Sequence, residues 1–159
     1  MLNKKNFKII KNKDIEINTY IDGEGPLVIM VHGWPESWYS WRHQIQPITE
    51  LGYKVIAIDV RGYGNSSKPP EVEKYDMPSL IGDIVNIIDK ENVEQAILIG
   101  HDWGAPICWN TAALFPKKIR AIIGLSVPHS RRGKISNIEL WRQLYKDRFF
   151  YQIYFCNAN

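Results

Sequence analysis

The chain has 159 residues, a length typical of one domain, and its 45% hydrophobic and 23% charged residues are the composition of a globular protein. The net charge of +3, from 20 Lys and Arg against 17 Asp and Glu, is too small to indicate nucleic acid or a membrane surface as a partner. The cysteines, Cys108 and Cys156, form neither a disulfide framework nor a metal-ligand pattern. Together with the lack of a signal-peptide pattern or a long apolar run, this predicts a cytoplasmic protein without metal or cofactor.

The first third of the chain predicts a hairpin, a buried strand and a helix. Apolar and polar residues alternate within 7–21 around a polar Asn-Lys-Asp turn, which favours two short paired strands. The apolar run 27–33 is typical of a strand that is buried on both faces of a parallel sheet. Hydrophobic residues at helical spacing predict a helix over 38–51, with a proline inside it.

Strands and helices then alternate as far as residue 127. Apolar stretches predict strands over 53–60, 95–100 and 119–127, and the segments between them predict helices over 78–91 and 103–116. This order is the signature of an α/β fold with a mostly parallel sheet and flanking helices. In such sheets, ligand chemistry is expected at the carboxyl ends of the strands.

The composition changes after Pro128. The stretch HSRRGKISN is polar and loop-like, and the segment 138–155 predicts an unusually aromatic helix. We therefore predict a boundary near residue 130, with a core over 1–129 and a second part over 130–159.

Motifs whose residues could take part in a reaction follow the ends of the parallel strands. Asp102 lies in the last of these motifs. Its surroundings, Gly-His-Asp-Trp-Gly, follow the pattern of a nucleophile elbow, a sharp strand-to-helix turn that needs glycines because strand and helix crowd each other. An ionised carboxylate needs no base to act as a nucleophile and can form an alkyl ester. The alternative is that Asp102 only caps the helix.

The motif His-Gly-Trp-Pro after the first parallel strand predicts a partner for Asp102. In such folds an oxyanion hole combines the N–H after the nucleophile with one from this earlier loop, which here means Trp103 and Trp34. The alternative is a turn fixed only by Gly and Pro. We expect His32 to pin the loop and Asp59, in the motif DVRGYG, to anchor its own loop.

The remaining histidines before residue 110 are not expected in the reaction. His43 lies on a predicted helix and should be solvated. His101 should point away from the site, because the neighbours of an elbow nucleophile pack into the sheet.

These motifs resemble the soluble epoxide hydrolases of the α/β-hydrolase fold over nearly the whole chain. The matching stretches are HGWPESWYSWRHQI (32–45), DVRGYGNSSKP (59–69), LIGHDWGAPICWN (98–110) and LSVPH (125–129). The resemblance implies that Asp102 attacks a small hydrophobic epoxide, with Trp34 and Trp103 supplying the oxyanion-hole N–H groups, and that water then releases a diol. It also implies that residues 1–129 are the N-terminal part of an α/β-hydrolase core and that residues 130–159 begin the helical cap that covers the site.

The resemblance gives Tyr151, in the stretch YQIYF, the place of a cap tyrosine that binds the epoxide oxygen and protonates the leaving alkoxide. A phenol is acidic enough for that task. Without the resemblance, Tyr151 is better explained as part of a packed aromatic helix face. Related dehalogenases also carry Asp at the elbow and Trp after it, but they usually have Asn or Glu where Trp34 stands, so they are the alternative family.

Release of the ester needs a water activated by a His that an acid orients, in the chain order nucleophile, acid, His. After Asp102 the chain offers His129, Glu139 and Asp147. The resemblance implies that His129 is not the base and that the remaining cap, the last strands, the acid and the base are absent. We therefore expect an incomplete enzyme or a non-catalytic fragment, whose strand 119–127 lies at an exposed edge and favours self-association.

Overall fold

The computed structural model describes residues 3–130 and 133–157. Arg131 and Arg132, which belong to the predicted polar loop, lie outside the described residues. The last two residues of the chain lie outside them as well. The chain divides into two units, Met1–His129 and Ser130–Asn159.

The strands of the first unit are β1 (Phe7–Asn12), β2 (Ile15–Asp22), β3 (Leu27–Val31), β4 (Lys54–Ile58), β5 (Ala96–His101) and β6 (Ile119–Leu125). They form a six-stranded sheet at the centre of this unit, in the order β1-β2-β4-β3-β5-β6. Strand β3 is parallel to β4 and β5, β5 is parallel to β6, and β2 is antiparallel to β1 and β4. The predicted α/β class with a mostly parallel sheet is therefore confirmed.

Helices flank this sheet: α1 (Arg42–Glu50), α2 (Met77–Lys90) and α3 (Gly104–Leu114). The predicted helix over 38–51 begins with a 3₁₀ turn, Trp38–Trp41, before α1 starts. At the start of α2, the carboxylate of Asp76 accepts the Ser79 N–H at 2.8 Å, which satisfies one of the unpaired donors of the first turn.

The core lies on both faces of the sheet because successive side chains of a strand point to opposite faces. Leu27, Ile29 and Val31 of β3 pack in one cluster with residues of α2 and α3. Val28 and Met30 of the same strand pack in the other cluster with residues of the 3₁₀ turn and α1. A strand buried on both faces reads as a continuous apolar run, which is the pattern seen in the sequence.

The register of the parallel strands brings the motifs to one edge. Val31 is paired with both Ile58 and Gly100, and Gly100 is paired with Gly124. The segments that follow these residues therefore leave the sheet at the same level. His32, Asp59 and Asp102 belong to those segments.

The second unit differs from the single helix predicted over 138–155. Its described residues form two short helices, α4 (Asn137–Tyr145) and α5 (Tyr151–Asn157). Helix α4 ends because Lys146 has φ +46° and ψ −112°, which is incompatible with a continuing right-handed helix. The rings of Tyr145 and Phe150 stack across the break with centroids 4.3 Å apart. Among the described residues of the chain, no helix is long and apolar enough to cross a membrane.

Candidate active site

Asp102 occupies a sharp turn between β5 and α3. Its φ is +48°, in the left-handed region that side chains other than glycine seldom adopt. Its backbone N–H donates to the Leu125 carbonyl at 3.2 Å, and its carbonyl accepts the Ala105 N–H at 3.0 Å. The half-buried carboxylate thus lies at the carboxyl edge of the sheet, near the N-terminus of a helix, where the helix dipole favours negative charge.

Two glycines allow the close approach of chain segments at this turn. A Cβ added to Gly33 would lie 2.4 Å from the Cβ of Asp102, so no larger residue fits beside it. A Cβ added to Gly104 would lie 2.1 Å from the Val31 carbonyl oxygen. The loop after β3 and the first turn of α3 can therefore meet at Asp102 only because both positions lack a side chain.

The loop after β3 provides a hydrogen bond to the carboxylate. The Trp34 N–H donates to Oδ1 of Asp102 at 3.0 Å. Trp103 follows Asp102 and precedes the first residue of α3, with helical dihedral angles. Both indole side chains are exposed, Trp34 by 45% and Trp103 by 42%. The structure thus brings Trp34 to Asp102 as the sequence predicts, whereas the Trp103 N–H stays a predicted donor.

Glu36 is a residue of this site that the sequence analysis did not single out. Its carboxylate accepts the Gly33 N–H at 3.0 Å and pairs with Nδ1 of His101 at 3.0 Å. Burial opposes ionisation of Glu36, but the Gly33 N–H and the nearby His101 outweigh it and hold the pKa of Glu36 below its usual value. The signal for this contact is a Glu three residues after a loop glycine, a spacing at which a side chain can reach back to the backbone.

His32 is buried, and its ring connects the loop after β3 to the segment after β4 by hydrogen bonds. Its Nε2 accepts the Val60 N–H at 2.9 Å, so the proton is on Nδ1, which donates to the Gly33 carbonyl at 2.7 Å. Burial disfavours the imidazolium and lowers the pKa of His32, although the Gly33 carbonyl and the carboxylates of Asp59 and Glu36 oppose the shift. Both ring nitrogens are used by the backbone, which matches the predicted pinning role.

Asp59 anchors the loop after β4. The carboxylate accepts the side-chain amide of Asn18 at 2.8 Å and the backbone N–H groups of Trp38 and Asn65, each at 3.0 Å. Asp59 is buried, and each contact holds a different part of the chain. Its arrangement is that of a structural anchor.

Of the later residues that the sequence analysis considered, only Tyr151 was predicted to take part in the reaction. Tyr151 begins α5 in the second unit, and its hydroxyl accepts the side-chain amide of Gln152 at 2.9 Å. His129 packs edge-on against Trp109 with ring centroids 5.6 Å apart, and Glu139 is held by Ser136 in a capping box at the start of α4. Nothing in the first unit tests the role of Tyr151, which stays a prediction.

Comparison with known proteins connects this geometry to one fold family. The model of the α/β-hydrolase fold family matches residues 26–154. Epoxide hydrolase B of Mycobacterium tuberculosis is 51% identical over 114 residues, covering 72% of this chain and 32% of that protein. Epoxide hydrolase A of the same organism is 39% identical over 150 residues, covering 93% of this chain and 47% of that protein.

Solved structures agree with the sequence comparison. The crystal structure of epoxide hydrolase A from Mycobacterium thermoresistibile superposes with a TM-score of 0.91 and 42% identity, covering 94% of this chain and 48% of that one. A crystal structure of epoxide hydrolase VrEH1 from Vigna radiata gives a TM-score of 0.84 at 41% identity, covering 89% and 46%. The chain thus spans about half the length of these relatives or less.

Proposed function

Because this chain belongs to the α/β-hydrolase fold family and is an epoxide hydrolase-like member of it, we propose that Asp102 is a nucleophile that opens epoxides. The observation that carries the proposal is the Asp102 carboxylate, held by the Trp34 N–H on a strand-to-helix turn of positive φ. A side chain on such a turn stands clear of the sheet edge, as a nucleophile elbow requires.

In the first step, an oxygen of the Asp102 carboxylate attacks one carbon of the epoxide, and the ring C–O bond to that carbon breaks. We assign the attack to Oδ2, since Oδ1 already accepts the Trp34 N–H. The epoxide oxygen leaves as an alkoxide and takes a proton from an acid, for which Tyr151 is the proposed donor. The product is a hydroxyalkyl ester whose mass is that of the protein plus the whole epoxide.

In the second step, water attacks the ester carbonyl and the carbonyl oxygen becomes an oxyanion. The Trp34 N–H is aimed at this oxygen, and the Trp103 N–H is the proposed second donor. Collapse of the tetrahedral intermediate releases a diol and restores the carboxylate. This step needs a base for the water.

We propose that the 159-residue chain by itself forms the ester but hydrolyses it poorly. His129 packs against Trp109, and the carboxylate of Glu139 is occupied by Ser136. The packing of its ring against Trp109 supports the expectation that His129 is not the base that this step needs. A lasting ester is the expected consequence.

Intact-protein mass spectrometry after exposure to styrene oxide tests the proposal. We expect one added epoxide mass, located on Asp102 by peptide mapping and removed by hydroxylamine, with no adduct in Asp102→Asn. Asp147→Asn removes an exposed carboxylate and should leave the adduct unchanged, which controls for non-specific esterification. An unmodified wild-type chain would favour a non-catalytic fragment, and more than one equivalent of diol would contradict the lasting ester.

A further inference from the structure

We propose that the second unit binds the surface of an anionic membrane, with its exposed apolar side chains in the lipid interface and its basic side chains at the headgroups. The charge of the chain is distributed unevenly between the two units. Residues 130–159 contain six Lys and Arg against two Asp and Glu, whereas residues 1–129 contain 14 against 15. All of the net positive charge of the chain therefore belongs to its last 30 residues. The inference is independent of the proposed nucleophile, because it uses no residue around Asp102.

The second unit also exposes large apolar side chains. Phe149, between the two helices, is 76% exposed, and Leu144 on α4 is 65% exposed. Tyr154 on α5 is 59% exposed, and its ring lies beside those of Phe149 and Phe155, with centroids 5.8 and 5.9 Å apart. Ile135, Leu140 and Phe155 are exposed as well. Neighbouring exposed apolar groups of this kind mark an interaction surface, whereas isolated ones do not.

The interior of this unit is made by other residues. The ring of Phe150 stacks on Tyr145 at 4.3 Å and meets Trp141 edge-on at 5.3 Å, and all three residues are half-buried. Leu140 and Leu144 are four residues apart and therefore share a face of α4. Both are exposed, so this aromatic interior leaves that face in contact with solvent.

The basic residues accompany the apolar ones. Lys134, Lys146 and Arg148 are exposed, and in the part of the chain that the structure describes none of them takes part in an ion pair. Lys146 and Arg148 closely precede Phe149 in the sequence. The long stems of Lys and Arg let a charged group stay at the headgroups while a neighbouring ring enters the apolar region.

A lipid interface matches this combination of side chains better than nucleic acid does. Bases stack on aromatic rings, but three of the six exposed apolar residues are aliphatic: Ile135, Leu140 and Leu144. A fluid interface accepts aliphatic and aromatic groups alike, and anionic headgroups attract nearby Lys and Arg. Apolar burial and charge attraction act together, since a single weak anchor gives only marginal binding.

Flotation of the whole 159-residue chain with lipid vesicles tests the proposal. Flotation separates chain that is bound to lipid from chain that sediments because it associates with itself. We expect vesicles of phosphatidylcholine and phosphatidylglycerol, in a ratio of about 3:1, to bind the chain about tenfold or more tightly than phosphatidylcholine alone. Raising NaCl from about 0.1 M to about 0.5 M should weaken this binding about tenfold, because salt screens the attraction. A chain that does not float with anionic vesicles, or that floats equally with neutral ones, overturns the proposal.

Removal of exposed rings tests the apolar contribution. The double variant Phe149→Ser with Tyr154→Ser should weaken binding to the anionic vesicles about tenfold or more, because less apolar surface enters the interface. The double variant Leu51→Ser with Val72→Ser removes two side chains of the first unit that are 74% and 80% exposed, and it should bind as the wild type does. Equal binding by both double variants contradicts the proposal. Circular dichroism establishes that each is folded.

Removal of charge tests the electrostatic contribution without changing the apolar surface. Lys146→Gln with Arg148→Gln should weaken binding to the anionic vesicles severalfold and should reduce its dependence on salt. Lys90→Gln with Lys117→Gln removes the same charge from exposed positions of the first unit and should leave binding unchanged. Equal losses in both double variants would show that only the total charge matters, which overturns the assignment to the second unit.

Two soluble polyanions distinguish a membrane from another acidic partner. We expect polyglutamate and an oligothymidylate to bind more weakly than the anionic vesicles and to be insensitive to Phe149→Ser with Tyr154→Ser, because neither offers an apolar interface. Tighter binding of the oligothymidylate than of the vesicles, lost in the same variant, would assign this surface to nucleic acid. Tighter binding of polyglutamate would assign it to an acidic protein, and either result overturns the membrane proposal.

Discussion

At the scale of single residues, we expect Glu36 to determine how firmly the Gly33–Trp34 backbone is held against Asp102. Its carboxylate accepts the Gly33 N–H and pairs with His101. Glu36→Ala removes both contacts, and we expect ester formation to slow by ten- to a hundredfold because small displacements of a positioned donor are costly. The measurement is the rate of epoxide addition to Asp102 by intact mass.

Glu36→Gln is the matched control, since the amide oxygen can still accept the Gly33 N–H. We expect it to recover most of the rate that Glu36→Ala loses. Equal rates in Glu36→Ala and the wild type would show that this contact does not position the Trp34 N–H. A Gln variant as slow as the Ala variant would instead make the negative charge, and not the hydrogen bond, the important property.

His32 gives a prediction about pH because burial lowers its pKa from the usual 6.5. Above that pH both the folded and the unfolded chain are neutral at His32. Below it, the unfolded chain binds a proton that the folded chain excludes, so stability falls as the pH falls. We expect His32 to contribute a slope of up to about 1.4 kcal/mol per pH unit between the two pKa values.

Urea unfolding at several pH values from 7 to 5 measures this slope. His32→Gln should be less stable at pH 7 but should flatten the slope by about one proton. His43→Gln, at an exposed position, should leave the slope unchanged. A slope that survives in His32→Gln would assign the pH dependence to other groups.

The candidate site could be predicted where the residue types themselves indicate the backbone geometry. Asp102 between glycines predicted a turn, and the turn has the positive φ and the close glycine contacts that such a motif needs. Glu36 was missed because an acid in a loop is usually solvated, and only the fold brings His101 to its carboxylate.

At the scale of elements, the buried pair Arg61–Asp83 connects the loop after β4 to α2. The guanidinium makes two hydrogen bonds to the carboxylate, which also accepts the side-chain amide of Asn12 at 2.8 Å. Asp83→Asn leaves Arg61 charged and buried without a counter-ion. We expect a loss of about 3–5 kcal/mol in the free energy of unfolding.

The exposed pair Lys74–Asp14 is the matched control because its N–O distance is a comparable 3.1 Å. Asp14→Asn should cost far less than Asp83→Asn, since solvent screens exposed charges. The double variant Arg61→Met with Asp83→Leu should recover much of the loss, because it removes both buried charges together. Equal losses for Asp83→Asn and Asp14→Asn in urea unfolding would contradict the prediction.

The elements themselves were predicted well where periodicity was long and poorly where it was interrupted. Strands β3, β4 and β5 were found from apolar runs because most of their residues are buried on both faces of the sheet. β6 was found from an apolar run as well, although it is only partly buried. The segment 138–155 was predicted as one helix, since its aromatic residues continue across Lys146 at helical spacing. The positive φ of Lys146 ends α4 at this point, and the segment has no glycine or proline that would have indicated the break.

At the scale of the whole molecule, we propose that the 159-residue chain associates through β6. Within the part of the chain that the structure describes, β6 pairs with β5 on one side and has no strand on the other. Ile123 is 48% exposed and Leu125 is 42% exposed on this strand. An apolar edge with unpaired backbone groups is a template for pairing with a second chain.

Sedimentation velocity over a range of protein concentrations tests this association. We expect the wild-type chain to shift from monomer to dimer or larger species as its concentration rises. Ile123→Lys should hold it as a monomer, because a charged residue on an edge strand opposes pairing. Leu114→Lys makes the same change at a position that is 64% exposed at the end of α3, and this variant should still associate. If both lysine variants behave alike, or if the wild type stays monomeric at every concentration, β6 is not an association surface. The apolar residues of this edge are then tolerated in water, as single exposed apolar side chains are elsewhere on protein surfaces.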